Sequence, residues 1–483
     1  DTSIPPPTES RHRTLVLCFD GIGADDNNSN IVQFFSMLNK GDSDRQLCYY
    51  QGGVSTHTTS RIVTSLWSKL TQTVDLMIAN SLDYQVIGGY RFLMENYKEG
   101  DKICIFGVSR GAYAARALAG MIHKVGLLPN SNHQQVPFAY QIYMRDDEKG
   151  WKQSVLFKKT FSIDAYIQFV GVWDTVASVG LIGRRLPFVK SNTAIKTFRH
   201  ALSLDEHRAM YKPNFVSFSS TSTTAFSSTK SNSSTQSNVY KYHGLSWDED
   251  EWQREEETSK KRIDDQNTDR NWPTDVLEVW FAGSQRDVGG GAVTDNTQHS
   301  LARIPLRWMI RQCFATDSGI QFQVEKLCEI GLDPASLYPY CKDRPPPIRI
   351  PDPPPLPNAP ARNGKQEKGN MPPWAEVGDV IMQRQKSEEE EELLDALCPM
   401  YDPLEMSHMW WWLLECLPIS QRVHQPDGTW TTSTQMNLGR PRELPGQELT
   451  GISVHRSVKT RMEAKHLNYT PRLKFDVEPE WVD

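Results

Sequence analysis

Five residues constrain this chain more than any others: Gly107-Val108-Ser109-Arg110-Gly111. They join the apolar run Lys102-Ile103-Cys104-Ile105-Phe106 to the Ala-rich run Ala112-Tyr113-Ala114-Ala115-Arg116-Ala117-Leu118-Ala119-Gly120. The first run predicts a buried strand and the second a helix. A Gly-x-Ser-x-Gly turn in that setting is so tight that its serine takes strained backbone angles. The small neighbours keep strand and helix from colliding, and the hydroxyl stands exposed at the strand end as a nucleophile. The plainer alternative is a glycine-rich loop whose serine only caps the following helix.

Short apolar runs recur on both sides of this turn. Strands are predicted at Thr14–Phe19, Gln46–Tyr50, Lys102–Phe106, Ile167–Trp173 and Val276–Phe281, with helices at Ile31–Leu38 and across Leu66–Tyr97. Strands alternating with longer helices predict an α/β fold: a mostly parallel sheet covered by helices on both faces. Ligands then bind at the carboxyl ends of the strands. The unusual residues fall there, as in Asp20-Gly21-Ile22-Gly23, Ser109, Asp174 and Asp287-Val288-Gly289-Gly290-Gly291.

A serine nucleophile needs a base to take its proton and an acid to orient that base. Asp174 ends a predicted strand and follows Ser109 in the chain, which makes it the candidate acid; its plainer role is to cap a helix through Thr175-Val176-Ala177. The backbone N–H of Arg110 is the first candidate oxyanion donor, and the Gly21-Ile22 segment supplies the second. Such donors contribute roughly 3–4 kcal/mol each to the transition state. Gly21-Ile22-Gly23 lacks the third glycine of a dinucleotide fingerprint, so no nucleotide cofactor is expected.

Several ordered blocks together resemble one family. They are Phe19-Asp20-Gly21, the Ser109 turn with Ala112-Tyr113 and Ala115-Arg116, Val172-Trp173-Asp174-Thr175-Val176, His200-Ala201-Leu202-Ser203-Leu204-Asp205-Glu206, and Trp280-Phe281-Ala282-Gly283 with Asp287-Val288-Gly289-Gly290-Gly291. The resemblance is to the α/β-hydrolase family of the type VI secretion lipase effectors, and it spans about Arg13 to Trp308. A looser match at His455-Arg456-Ser457-Val458 and Tyr469-Thr470-Pro471 closes the domain. It implies an α/β-hydrolase-like sheet and a lipase- or phospholipase-like ester hydrolase.

The departures from the family pattern matter as much. The family places its presumed base, a histidine, two residues after the Gly283 position, where this chain has Gln285. An amide cannot take the serine proton, and losing a triad base costs on the order of a millionfold in kcat. His455 and His299 are the alternative bases, with helix capping and a surface loop as their plainer roles. Two functions follow: a serine ester hydrolase impaired at Gln285, or an inactive pseudo-hydrolase that binds a lipid or protein. A third, metal-assisted chemistry, would draw on Asp20, Asp25, Asp26, Asp174 and Asp287; without a histidine among them no metal is expected.

The rest of the chain sets the organisation. An α/β domain is expected over 11–330, with a disordered Ser/Thr-rich and charged excursion at about 217–270. A Pro-rich linker follows at 344–375, and a helical cap or domain-completing region at 376–475. Glu388–Glu392 predicts the start of a solvated helix. The run Met406–Leu414 predicts a core helix or, through Trp410, Trp411 and Trp412, a peripheral membrane contact. Net charge of −6 with no basic block excludes a nucleic-acid partner. Eight cysteines without C-x-x-C spacing fit a reducing, cytoplasmic setting. The sequence carries no leader pattern and no apolar run of membrane-spanning length, and it begins with Asp rather than Met.

Overall fold

The computed structural model describes residues 3–6, 12–23, 28–53, 67–176, 186–189, 194–214, 274–294, 297–350, 386–406, 410–416, 418–424, 430–442, 452–475 and 477–483. The excursion expected at 217–270, Asp25, Asp26 and most of the Pro-rich stretch lie outside these residues.

Twelve strands are described: β1 (Ser3–Ile4), β2 (Thr14–Gly23), β3 (Gln46–Gly53), β4 (Lys102–Val108), β5 (Ile167–Trp173), β6 (Ile195–Ser203), β7 (Asp275–Phe281), β8 (Phe322–Gln323), β9 (Pro418–His424), β10 (Trp430–Met436), β11 (Ser453–His455) and β12 (Glu480–Val482). Eight of them form one sheet in the order β12-β11-β7-β6-β5-β4-β2-β3, and every neighbouring pair is parallel. β1 with β8, and β9 with β10, make two small antiparallel pairs.

The pleat of β2 shows how the sheet is buried on both faces. Leu15, Leu17 and Phe19 face α2 (Trp67–Asn96) and α3 (Arg110–Val125), packing with Val86, Tyr90 and Leu118. On the same side lie α4 (Val136–Met144) and α5 (Glu148–Phe161). Val16 and Cys18 point the other way, among Ile31 and Phe34 of α1 (Asn30–Met37). Met309 and Ile310 join that second cluster from a helix at Arg303–Ala315. Phe106 holds this layer together, with ring centroids 4.3 Å from Phe34 and 5.4 Å from Phe169. Burying each such side chain contributes about 1.5–3 kcal/mol. All eight cysteines are free thiols.

The carboxyl-terminal region belongs to the sheet. β11 adds beside β7, and β12 beside β11. Here the sequence expectation needs correcting. Glu388–Glu392 does open a helix, Glu388–Ala396, with Ser387 and Glu390 forming a capping box. Three of these five glutamates are not solvated, however: Glu388, Glu391 and Glu392 are buried, while Glu389 and Glu390 are partly exposed. Arg311 reaches Glu388 at 3.1 Å, Arg303 reaches Glu391 at 2.9 Å, and Arg307 reaches Asp395 at 2.7 Å. Arg344 and Arg456 meet Glu392 at 2.6 and 2.9 Å. Of the aromatic run and its approach, the helices Pro403–Met406 and Trp410–Glu415 are described, and 407–409 lie outside the described residues. Among the described residues no helix is long and apolar enough to cross a membrane.

Candidate active site

β4 stops at Val108, α3 starts at Arg110, and Ser109 makes the whole turn with φ +56° and ψ −116°. For a residue with a side chain this is strained backbone, of order 1–3 kcal/mol. The serine makes no capping bond to the first turn of α3, so the plainer helix-cap role does not apply. Glycines make the turn possible. A Cβ on Gly111 would sit 2.3 Å from the Phe19 carbonyl oxygen, and one on Gly107 2.4 Å from the Gly111 carbonyl oxygen. A Cβ on Gly21 would lie 2.7 Å from the Arg110 nitrogen. The end of β2 therefore presses directly on the elbow, which brings the Gly21 segment and the Arg110 N–H together. The Arg110 guanidinium also donates to the Gly21 carbonyl at 3.0 Å.

Asp174 ends β5, next to the elbow: the Ser109 N–H donates to the Trp173 carbonyl at 2.9 Å. It too has left-handed backbone, φ +42°. Its carboxylate is fully buried and already engaged. Arg442 Nη1 donates to Oδ1 at 2.6 Å and Nη2 to Oδ2 at 2.8 Å, a bidentate pair, and the Ser203 N–H donates to Oδ1 at 3.0 Å. An orienting acid should accept from the base; this one accepts from a guanidinium.

Gln285 is buried at the start of a one-turn helix, Gln285–Gly289, immediately after β7. Its N–H donates to Glu206 Oε2 at 3.2 Å. Burial raises the Glu206 carboxyl, but Arg208, bonded to it at 2.7 and 2.9 Å, outweighs burial and holds it lowered. That helix rests on the end of β4: a Cβ on Gly289 would lie 2.6 Å from Val108 Cγ2 and 3.8 Å from Gln285 Nε2. Ser109 and Gln285 thus stand on segments that touch.

Neither alternative histidine is brought to Ser109. His455 caps the helix Arg456–Glu463 by accepting from the Ser457 N–H, and its ring stacks on Phe281. Burial drives its pKa down to about 3, against the pull of Glu392. Its strand is four places from β4 in the sheet, on the order of 19 Å at ordinary strand spacing. His299 stands 3.2 Å from Asp395 and 3.5 Å from Glu391. His200, one strand from Asp174, is spent as well. Its Nε2 accepts from the Thr175 N–H at 3.0 Å, and Nδ1 lies 2.8 Å from Glu278. Among the described residues no imidazole bonds to Ser109.

Among the described residues, the carboxylates considered for a metal, Asp20, Asp174 and Asp287, do not form a metal-sized group either. Asp20 accepts from Ser29 and Tyr50, each at 3.0 Å, and Asp287 is buried in the capping box of Ser284. Burial pushes Asp287 up to about 7. Among the described residues, His299, Glu391 and Asp395 offer ligand atoms within 4.8 Å of one another, but Arg303 and Arg307 already neutralise those carboxylates. The residue that sequence reasoning missed is Arg442. It is 268 positions from Asp174, and nothing in its local sequence points there.

The family described as the catalytic domain of type VI secretion Tle1-like phospholipase effectors matches residues 13–312. A Saccharomyces cerevisiae protein, described as uncharacterized protein YEL023C, is 28% identical over 581 aligned positions, covering 100% of this chain and 83% of the relative. Two solved structures are similar at 16% identity each. An uncharacterized Pseudomonas aeruginosa protein has a TM-score of 0.31 over 70% of this chain and 49% of its own. The Tle1 effector bound to the VgrG spike has 0.28 over 58% and 52%. The chain thus spans about half the length of these solved chains.

Proposed function

Because the chain belongs to the family of Tle1-like phospholipase effector catalytic domains, we propose that its crevice binds a phospholipid or related acyl ester on a serine-hydrolase frame and does not turn it over. One observation carries this reading: Arg442 occupies the carboxylate of Asp174 while an amide, Gln285, stands at the base position. A serine hydroxyl attacks an ester only if its proton leaves as the bond forms, and neither group can receive it. The elbow and the Gly21–Arg110 contact remain as a cradle for an ester carbonyl. Trp412, 43% exposed, and Leu438, 51% exposed, offer an apolar surface for an acyl-bearing membrane.

A second reading, a working esterase with an unusual base, is favoured by Ser109, whose backbone is strained as in a nucleophile elbow. Hydrolysis of acyl esters and phospholipids separates the two. The protein as it stands should be silent yet sediment with phospholipid vesicles. Gln285→His should gain little, because its acid remains taken, and Gln285→His with Arg442→Leu should gain more. Turnover by the unaltered protein that disappears in Ser109→Ala overturns the binding reading and establishes the esterase.

A further inference from the structure

The Arg442 guanidinium is held over Asp174 by a segment with its own anchors. Asn437–Arg442 follows β10 and reaches the carboxyl ends of β5 and β6, where Arg442 also donates to the Ser203 carbonyl at 3.0 Å. Asn437 donates to the His207 carbonyl at 2.8 Å, and the Gly439 N–H donates to Glu415 at 3.0 Å. Leu438 and Gly439 are both left-handed, with φ +50° and +69°. Leucine there is strained, so the turn stays closed only while it is anchored.

His207 supplies the remaining anchor. Its Nδ1 lies 3.1 Å from the Gly439 carbonyl oxygen, and its Nε2 lies 3.0 and 2.9 Å from the two Asp402 oxygens. Both nitrogens face atoms that only accept. A neutral imidazole has one N–H and one lone pair, so one of these contacts would set lone pair against lone pair; the imidazolium satisfies both.

We propose that Asn437–Arg442 is a proton-latched strap: protonated His207 clips Gly439 to Asp402, and that clip keeps Arg442 on Asp174. On the strap itself, Lys212 donates to the Asn437 side-chain oxygen at 2.9 Å. Arg472 bonds Asp402 at 2.5 Å and opposes the imidazolium, while Glu405 takes Arg472 at 3.2 Å. Glu415 lies beyond Gly439, and Glu206 and Arg208, next along the chain, neutralise each other at 2.7 Å. Burial lowers the His207 pKa, but Asp402 and the Gly439 carbonyl outweigh it, and the net direction is up from 6.5. A group whose pKa is raised in the closed state supports that state fully below its open-state value. The clip is therefore complete below about 6.5 and is lost as pH rises through the closed-state value.

The test is amide hydrogen exchange of peptides covering 436–442 in the full chain from pH 5.5 to 9, corrected for intrinsic rates and without ligand. Protection should fall with rising pH by about tenfold for each unit by which latching raises the His207 pKa. His207→Gln, which can donate to one acceptor but cannot titrate, should show low protection that does not change with pH. If that variant does not fold, Asp402→Asn serves instead and should move the midpoint to lower pH. Protection that is flat with pH in the unaltered protein, the same pH dependence in His207→Gln, or an unmoved midpoint in Asp402→Asn overturns the proposal.

Discussion

At the scale of single residues, Ser109 and Asp174 share a predicament: both hold left-handed backbone at adjacent strand ends. A glycine would hold either angle without the steric cost that a Cβ brings. Ser109→Gly should therefore stabilise the fold by about 1 kcal/mol, the strain relieved exceeding the extra chain entropy of glycine. A lower melting temperature for Ser109→Gly would show that the surrounding contacts, not strain, dominate there. Asp174 presents the opposite case. Arg442→Ala removes one partner of a buried bidentate pair and should cost about 3–5 kcal/mol in urea unfolding, whereas Asp174→Asn with Arg442→Met should recover part of that loss. Additive losses in the double variant would mean the two residues are not coupled. Much of this site is legible in the sequence, because the Ser109 turn is local and Asp174 closes an apolar run. Arg442 is not legible, since only the folded chain brings it across 268 positions.

At the scale of elements, legibility follows how far each strand is apolar. β2, β4, β5 and β7 read directly as short apolar runs. β6 does not, because Arg199 and His200 interrupt it; both are buried, paired with Asp275 at 2.6 Å and Glu278 at 2.8 Å. β11 and β12, three residues each, are too short for any periodicity to register. The helix Glu388–Ala396 misleads for the converse reason: its carboxylates look solvated until the arginines facing it are known. Burial would raise the Glu392 carboxyl, but the Arg344 and Arg456 guanidiniums bonded to it outweigh burial and hold the pKa down to about 2. A depressed carboxylate supports the fold above its unfolded value of about 4.5, and that support is lost as pH falls towards 2. Stability in urea should fall across that acid window, and the slope should be shallower in Glu392→Gln. Equal slopes in the two proteins would show that Glu392 does not couple folding to protons.

At the scale of the whole molecule, the matched catalytic region, 13–312, shares its sheet and its buried ion pairs with residues beyond it. β11 and β12 come from beyond residue 450 and cover the edge of β7. The helix Glu388–Ala396 supplies the carboxylates that neutralise Arg307, Arg311 and Arg344. A chain ending at residue 350 would leave those guanidiniums without carboxylates, Arg307 keeping only the Ile330 carbonyl and Arg311 Ser336 and the Lys342 carbonyl, and would open β7 to solvent. Losing one partner of a buried ion pair costs about 3–5 kcal/mol, and a domain has only about 5–15 kcal/mol in all. Three such losses, about 9–15 kcal/mol together, are as large as what the fold has to give. The fragment 1–350 should therefore show no cooperative melting transition and weak near-ultraviolet circular dichroism. Co-expression with 386–483 should restore both, because that piece carries the carboxylates, the two strands and Arg442. A single sharp transition in 1–350 alone would show that the sheet closes without its carboxyl-terminal strands, and that the arginines find water instead.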